Sequence, residues 1–182
     1  MLNSFENAKN AKAPRSKAWC GFSPDFQKKI FGFYPSGCCV ITGASGGSIV
    51  GITVSSLVSV SLEPSLALFC IHEHSRRKEL LLDSDELAVH WLAAKDSAVA
   101  ECFAESARAG FDRYSYHFTD KGCPILDVAG PIAIGTISHV IKAGDHWVVF
   151  IDLDRGIYSK SIPAMYYQGS FEPFFLSERG CE

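Results

Sequence analysis

Apolar residues recur along this chain in short segments bounded by glycine, proline and other turn-forming residues, and this pattern predicts β-strands. Two of the segments flank the glycine-rich residues 43–47, and two others flank residues 142–145, so we predict two β-hairpins. Further extended pieces follow over residues 158–175. The predicted strands cover residues 38–42, 49–54, 66–71, 87–92, 131–140 and 146–153.

Three stretches have the apolar spacing of short helices rather than of strands. The first begins with a Ser-Pro pair, which suits a helix N-cap and first helical position, and it ends before Pro35. Residues 110–122 mix aromatic, charged and turn-forming residues, and we predict a loop there. The predicted helices cover residues 23–34, 76–82 and 97–105.

Six or more strands with two or three short helices argue against a doubly wound parallel sheet, in which helices alternate with strands. We therefore predict a mainly β fold with peripheral helices, built on an antiparallel β-barrel whose closure removes exposed strand edges. A length of 182 residues favours one domain. We predict a flexible arm over residues 1–22, the domain over residues 23–176 and a C-terminal tail over residues 177–182.

Charge and cysteine content narrow the possible partners and the compartment. A net charge of -3 gives no general attraction to nucleic acid or to anionic membranes. The sequence has no signal-like segment and no apolar run that could span a bilayer, so we expect a cytoplasmic protein. The seven cysteines form no C-x-x-C pair, and we expect reduced thiols rather than a disulfide framework.

Three short motifs suggest chemistry, but each lacks part of the pattern that the chemistry needs. Residues 42–49 look like the start of a dinucleotide-binding fingerprint, yet Ile49 stands where the third glycine belongs. The G-x-S-x-G pattern around Ser45 is followed by a predicted strand, whereas a serine nucleophile needs a helix there. His72 and His74 share one face of a strand, but no third metal ligand has suitable spacing. A hairpin turn and exposed strand-end residues are the preferred interpretations.

The densest group of short hydrogen-bonding side chains lies in residues 51–64. Five hydroxyl groups fall within nine residues there, on Thr53, Ser55, Ser56, Ser59 and Ser61. The sequence Ser-Arg-Arg-Lys follows at residues 75–78. Short donors beside a cationic group are what a flavin ring edge, a ribityl chain and a phosphate require. We therefore predict that these two segments converge to form a flavin site.

At this segment the chain resembles the flavin reductase-like family, and the resemblance runs over residues 26–174. Residues 33–42 are similar to the family's opening helix and first strand. The sequence Gly-Ile-Thr-Val-Ser-Ser-Leu-Val-Ser-Val-Ser-Leu-Glu-Pro-Ser, which begins at Gly51, looks like its flavin-binding signature. Three later segments follow in the family's order and spacing, at residues 88–92, 144–146 and 163–169.

The resemblance implies a split-barrel fold, a homodimer with flavin near the subunit interface, and FMN or FAD reduced by NADH or NADPH. It further implies an enzyme that supplies reduced flavin to a partner monooxygenase or halogenase. The flavin would carry the redox chemistry, so the protein's task is to position two stacked rings, and no catalytic acid is obligatory. The rival interpretation is a non-reductase flavin protein such as an electron carrier, and a serine hydrolase is a distant third.

The resemblance also assigns roles to individual residues, and it assigns no metal ligand. Gln168 stands where arginine is common in the family, and the lost cation would weaken or redirect nicotinamide binding. His90 and Trp91 replace a smaller Asn-Val pair. The flavin would contact Thr53, Val54, Ser55, Ser56, Ser59, Ser61, His72, Ser75, Arg76, Lys78 and Phe103. The nicotinamide side would be lined by His146, which is also the candidate catalytic residue, and by Tyr166, Tyr167, Gln168 and Gly169.

Overall fold

The structure is a computed structural model, and it describes residues 21–106 and 109–173. The predicted tail at residues 177–182, and all but the last two residues of the predicted arm, lie outside the described residues. The chain divides into two units, residues 1–31 and 32–182. Within the described ranges, no helix is long and apolar enough to cross a membrane.

Strands make up most of the regular structure in the described residues, and the helices are short. This agrees with the predicted mainly β fold with peripheral helices. The helices are α1 (Pro24–Gly32), α2 (Lys78–Leu82), α3 (Ser97–Glu105) and α4 (Ala109–Arg113), with a 3-10 helix at Ala94–Asp96. The strands are β1 (Ser36–Gly37), β2 (Cys39–Ser45), β3 (Ser48–Val54), β4 (Val58–Ser61), β5 (Leu66–His72), β6 (Leu87–Trp91), β7 (Tyr116–Phe118), β8 (Pro124–Leu126), β9 (Ile132–Ala143), β10 (His146–Ile157), β11 (Ala164–Tyr167) and β12 (Ser170–Pro173).

Helix α1 begins where the sequence predicts. Ser23 Oγ accepts a hydrogen bond from the backbone N–H of Phe26 at 3.2 Å, as an N-cap residue does. The helix ends at Gly32, two residues before the predicted end, because Pro35 disfavours helical backbone at the residue before it. None of the residues of α1 is buried.

Seven strands form one antiparallel sheet in the order β3-β2-β6-β9-β10-β5-β4. The two edge strands, β3 and β4, follow one another in the chain and are joined by residues 55–57 alone. Such a connection spans at most about 15 Å, whereas the edges of a flat seven-stranded sheet lie about 29 Å apart. The sheet must therefore curl into a barrel. Within the described ranges no ladder pairs β3 with β4, so the barrel is split along that seam.

The first hairpin has a tighter turn than the sequence predicts. Strands β2 and β3 pair as far as Ser45 and Ser48, so Gly43 belongs to a strand and not to the turn. Gly46 and Gly47 alone make the turn, with φ angles of 56° and 76°. Two-residue hairpin turns need this left-handed backbone, which glycine adopts without strain. Strand on both sides of Ser45 leaves no strand-to-helix elbow for a serine nucleophile.

The predicted loop over residues 110–122 is wrong, because it contains the end of α4 and all of β7. Phe111 is only 8% exposed. Its ring packs edge-on against Phe103 at 5.0 Å and against Tyr116 at 5.2 Å between ring centroids. Aromatic packing orders this segment, and the mixture of charged and turn-forming residues in the sequence conceals it.

Strand β2 lies at the centre of the core and is buried on both faces. Cys39 and Ile41 belong to a cluster inside the barrel, whereas Val40 packs in a second cluster with residues of α3. Burial raises the pKa of the Cys38 thiol to about 12, so this thiol stays protonated. All five cysteines in the described ranges are free thiols.

His90 joins three strands from inside the core. Its ring is fully buried on β6, with Nδ1 3.1 Å from the carbonyl oxygen of Val40 in β2. Nε2 accepts a hydrogen bond from the backbone N–H of Leu126 in β8 at 3.0 Å. The ring is therefore neutral, with its proton on Nδ1, where it donates to Val40. Burial lowers the pKa of His90 to about 4.

Candidate active site

The hydroxyl-rich segment is not one continuous strand. β3 ends at Val54 and β4 begins at Val58, so Ser55 and Ser56 lie in the loop that bridges the split of the barrel. Thr53 Oγ1 donates a hydrogen bond to the carbonyl oxygen of Ala100 in α3 at 2.6 Å. Ser56 Oγ accepts one from the backbone N–H of Cys70 in β5 at 2.9 Å. These two hydroxyl groups fix the segment to its neighbours.

The other three hydroxyl groups of this segment remain open to a ligand. Ser55 and Ser59 are exposed and Ser61 is half-buried. Among the described residues, none of the three side chains makes a hydrogen bond. Val54 differs, because its side chain is 6% exposed and packs in the core cluster inside the barrel. The predicted contact of Val54 with the flavin would therefore be made by its main-chain amide.

Residues 75–78 form a turn that follows β5 and leads into α2. The backbone N–H of Lys78 donates to the carbonyl oxygen of Ser75 at 3.1 Å, and Ser75 Oγ lies 3.4 Å from the backbone nitrogen of Arg77. Arg76 is exposed, and its side chain has no hydrogen bond or ion pair within the described part of the chain. Of the two arginines, Arg76 is thus the one that a phosphate could reach.

Phe103, which the family resemblance assigns to the flavin, lies in the core. Its ring is fully buried, and a Cβ placed at Gly51 or at Gly110 would lie 2.4 Å or 2.2 Å from it. Contact between this ring and the flavin stays a prediction. The carbonyl oxygen of Phe103 does contribute, since it accepts a hydrogen bond from Arg77 at 2.5 Å.

His72 and His146 face each other at neighbouring strand ends. They are register partners in β5 and β10, and their rings meet edge-on with 5.1 Å between centroids. His146 Nδ1 lies 2.7 Å from Asp145 Oδ1, and His72 Nε2 lies 3.9 Å from Asp145 Oδ2. His72 Nδ1 accepts the backbone N–H of His74 at 3.1 Å, so the neutral ring carries its proton on the nitrogen that faces Asp145. One carboxylate therefore lies beside both rings and is hydrogen-bonded to that of His146.

The hydrogen bond from His146 lowers the pKa of Asp145, which keeps this carboxylate ionised. In the neutral imidazole of His146 the Nδ1 proton then points to Asp145 and Nε2 is left as an acceptor. The two rings are each partly exposed, with 47% and 43% of their side-chain surface accessible for His72 and His146. A ligand can therefore reach this edge of the barrel.

Two lysines flank Trp147 beside the histidines. Lys78 Nζ lies 5.3 Å and Lys142 Nζ 6.0 Å from the centre of its ring, within the range of cation–π attraction. Lys142 also binds Glu73 at 2.5 Å, and this hydrogen bond lowers the pKa of the Glu73 carboxyl. Lys78 pairs with Glu79 at 2.9 Å. The indole N–H of Trp147 is buried and has no partner among the described residues.

The predicted nicotinamide-facing residues lie on two different sheets. Tyr166 and Tyr167 belong to the three-stranded sheet β1-β11-β12, whereas His146 belongs to the seven-stranded sheet. Gln168 and Gly169 form the turn between β11 and β12, with φ angles of 50° and 90°. Within the described ranges, no hydrogen bond or ring contact joins this turn to His146.

Sequence reasoning missed two residues that organise this region, Arg77 and Trp147. Arg77 lies between two residues assigned to the phosphate, but adjacent side chains point in different directions, and its side chain turns inward to α3. The signal available was two successive arginines before a helix. For Trp147, the sequence carries no sign that two lysines from distant segments meet its ring.

Comparisons with known proteins agree with this architecture. A family model described as "Flavin reductase like domain" matches residues 31–174. A "Probable flavin reductase" of Rhizobium meliloti (strain 1021) is 29% identical over 129 residues, which are 70% of this chain and 42% of that protein. An "NADH:FMN oxidoreductase" of Rhodococcus qingshengii is 31% identical over 144 residues, which are 76% of this chain and 75% of that protein.

Comparison with a solved structure also places the chain in this fold. The crystal structure of nitrilotriacetate monooxygenase component B from Mycobacterium thermoresistibile superposes with a TM-score of 0.77 at 27% identity. The superposition covers 83% of this chain and 86% of that one. The family match spans every strand of the barrel as well as the hydroxyl-rich segment and the turn at residues 75–78. The chain therefore belongs to the flavin reductase-like family.

Proposed function

We propose that the protein is an NAD(P)H-dependent flavin reductase that passes a hydride to FMN or FAD. The names of its relatives support this activity. The observation that carries the proposal is the meeting of two polar segments on α3. Thr53 in the hydroxyl-rich segment and Arg77 in the turn at residues 75–78 both bind carbonyl groups of that helix. Open hydroxyl groups and an exposed cation thus lie on segments anchored to one element.

The residues present fit a phosphorylated flavin. Ser55, Ser59 and Ser61 would offer hydroxyl groups to the polar edge of the ring and to the ribityl chain, and Arg76 would offer a cation to the phosphate. When bound, the flavin supplies the redox chemistry by accepting the hydride, and the protein binds and orients it.

His146 is the residue we propose for the nicotinamide side. Asp145 fixes its ring, and the exposed Nε2 can meet a polar group of the dinucleotide. The fixed ring would shape the pocket and orient the nicotinamide, because hydride transfer depends mainly on positioning. His72 supports the same edge by packing against His146.

We further propose that the protein is a homodimer. Along β5 the residues alternate between buried and half-buried, so Leu66, Leu68 and Cys70 point to the outer face of the sheet. Val148 and Phe150 of β10 alternate in the same way and are register partners of Cys70 and Leu68. A continuous apolar face on a sheet is typical of an interface. A second copy of the chain is the occupant we propose, because a dimer would also let the β11–β12 turn of one subunit approach His146 of the other.

The proposed recipient of the reduced flavin is a monooxygenase or a halogenase in the same cell. The structural similarity to nitrilotriacetate monooxygenase component B supports a monooxygenase as the recipient. We also propose a cytoplasmic location, because free thiols are typical of a reducing compartment.

Mixing the purified protein with NADH and FMN under anaerobic conditions tests the proposed activity. We expect the nicotinamide absorbance to fall and the flavin absorbance to bleach together, with one FMN reduced for each NADH oxidised. A yellow protein whose flavin is not reduced by NADH or NADPH would favour the electron-carrier alternative instead.

The same assay has a matched variant, Asp145→Asn, which removes the charge that fixes His146 and keeps the size of the side chain. We expect the KM for NADH to rise about tenfold, the usual cost of losing a charge-assisted hydrogen bond, with kcat changed less than threefold. An unchanged KM would contradict a role for His146 at the nicotinamide.

A further inference from the structure

Arg77 is the residue of the 75–78 turn whose guanidinium group binds helix α3. Nη1 donates to the carbonyl oxygen of Phe103 at 2.5 Å, and Nη2 donates to that of Ala104 at 3.2 Å. Both carbonyls belong to the last turn of α3, and the carbonyl groups of a helix's last turn generally need partners from outside the helix. The partial negative charge at a helix C-terminus also favours a cation there. Arg77 is therefore a clamp on α3 and not a free phosphate ligand.

The burial of the clamp distinguishes Arg77 from its neighbour. The side chain of Arg77 is half-buried, and burial lowers its pKa, whereas Arg76 is exposed. The carbonyl oxygen of Arg77 also accepts the backbone N–H of Leu81 at 3.0 Å, which ties the turn to α2. A shift of this arginine would therefore move the backbone of the turn as a whole.

The hydroxyl-rich segment is fixed to the same helix, one turn earlier. Thr53 donates to the carbonyl oxygen of Ala100, which precedes Phe103 by three residues. Gly51 of the same strand packs directly on the Phe103 ring, since a Cβ there would lie 2.4 Å from it. Helix α3 therefore sets the separation between the two polar segments, and Arg77 is the side chain that holds the second segment to it.

We propose that Arg77 is a positioning residue for the phosphate end of the flavin site. Acting through α3, it would keep Ser75 and Arg76 at the distance from the hydroxyl-rich segment that a phosphorylated flavin spans. This inference rests on the proposed function and assigns to Arg77 the selectivity for FMN over riboflavin, which lacks the phosphate.

The test compares the Kd values of FMN and riboflavin, measured by titration of flavin fluorescence, in the wild type and in Arg77→Met. We expect the Kd for FMN to rise at least tenfold, because the turn loses two charge-assisted hydrogen bonds. The Kd for riboflavin should change less than twofold. Arg77→Lys keeps the charge but cannot hold both carbonyls, and we expect it to raise the Kd for FMN at least threefold.

Arg113→Met is the matched control. Arg113 is an exposed arginine that also approaches α3, with Nη1 3.8 Å from the Sγ atom of Cys102, but it makes no hydrogen bond to the carbonyl groups of Phe103 and Ala104 within the described residues. We expect neither Kd to change in this variant. Equal weakening of FMN and riboflavin in both Arg77 variants, or no change in either, would overturn the inference. If Arg77→Met does not fold, the Arg77→Lys variant tests the inference. The ratio of its Kd for FMN to its Kd for riboflavin must then exceed the wild-type ratio. A wild-type protein that binds neither flavin would instead overturn the proposed function.

Discussion

Acidification from pH 6.5 to pH 4 is expected to lower the free energy of unfolding by about 3 kcal/mol through His90 alone. The pKa of His90 falls from 6.5 to about 4 on folding, because burial of the ring disfavours its charged form. Between these two pH values the unfolded state binds a proton that the folded state does not. The contribution of the neutral ring is therefore fully present above pH 6.5 and is lost as the pH falls towards 4.

Urea denaturation at pH 7, 5.5 and 4.5 measures this effect, with His90→Gln as the matched variant. A glutamine amide is neutral at all three values and offers both a donor and an acceptor group. We expect the wild type to lose stability over this range faster than the variant, by about 2 kcal/mol between pH 7 and pH 4.5. Parallel pH profiles for the two proteins would show that His90 does not couple folding to pH.

Placing a lysine on the outer face of the sheet should convert the proposed dimer into monomers. Leu68 is half-buried in one chain and lies between Val58 of β4 and Phe150 of β10, in the middle of that apolar face. In Leu68→Lys the dimer would have to bury an unpaired charge from each subunit, which costs several kcal/mol. We expect the dimer to dissociate at least 100-fold more readily.

Light scattering coupled to size exclusion distinguishes one 19.9 kDa chain from two. The matched control is Ile162→Lys, the same kind of change at an apolar residue that is 59% exposed and outside the sheet face. We expect the control to remain dimeric. A Leu68→Lys protein that stays dimeric would move the interface to another surface, and a wild type that is monomeric would contradict the dimer itself.

Six of the seven strands of the barrel could be predicted because their apolar segments and the glycines of the first turn are local signals, whereas the edge strand β4 was not predicted. Gly46 and Gly47 have the backbone freedom that a two-residue turn needs, so the sequence predicts the hairpin, although with a turn that is too long. The helix and strand within residues 110–122 could not be predicted. They depend on the packing of Phe111 with Phe103 and Tyr116, which sequence spacing does not show.

The candidate site could also be predicted only in part. The density of hydroxyl groups in the sequence identified the segment, but it did not reveal which hydroxyls the protein itself uses. Thr53 and Ser56 bind neighbouring backbone, whereas Ser55 and Ser59 remain open. The orientation of a charged side chain was equally hidden, because Arg77 differs from its neighbour only by the tertiary contact with α3.

Resemblance to a family identified the region, but it did not show which of the assigned residues are buried. Phe103 and the side chain of Val54 lie in the core. A family pattern shows that a residue type recurs at a position. It does not show whether that residue packs in the core or contacts a ligand. Burial, which only the structure supplies, separates the two.

A crystal structure of the protein with FMN bound would show whether the two polar segments form the flavin site. We expect the isoalloxazine to lie against residues 53–56 and the phosphate to lie within hydrogen-bonding distance of Ser75 or Arg76. We also expect the Arg77 guanidinium to remain on the carbonyl oxygens of Phe103 and Ala104. Flavin bound at another surface, or a phosphate held by groups outside the turn at residues 75–78, would rule out this site.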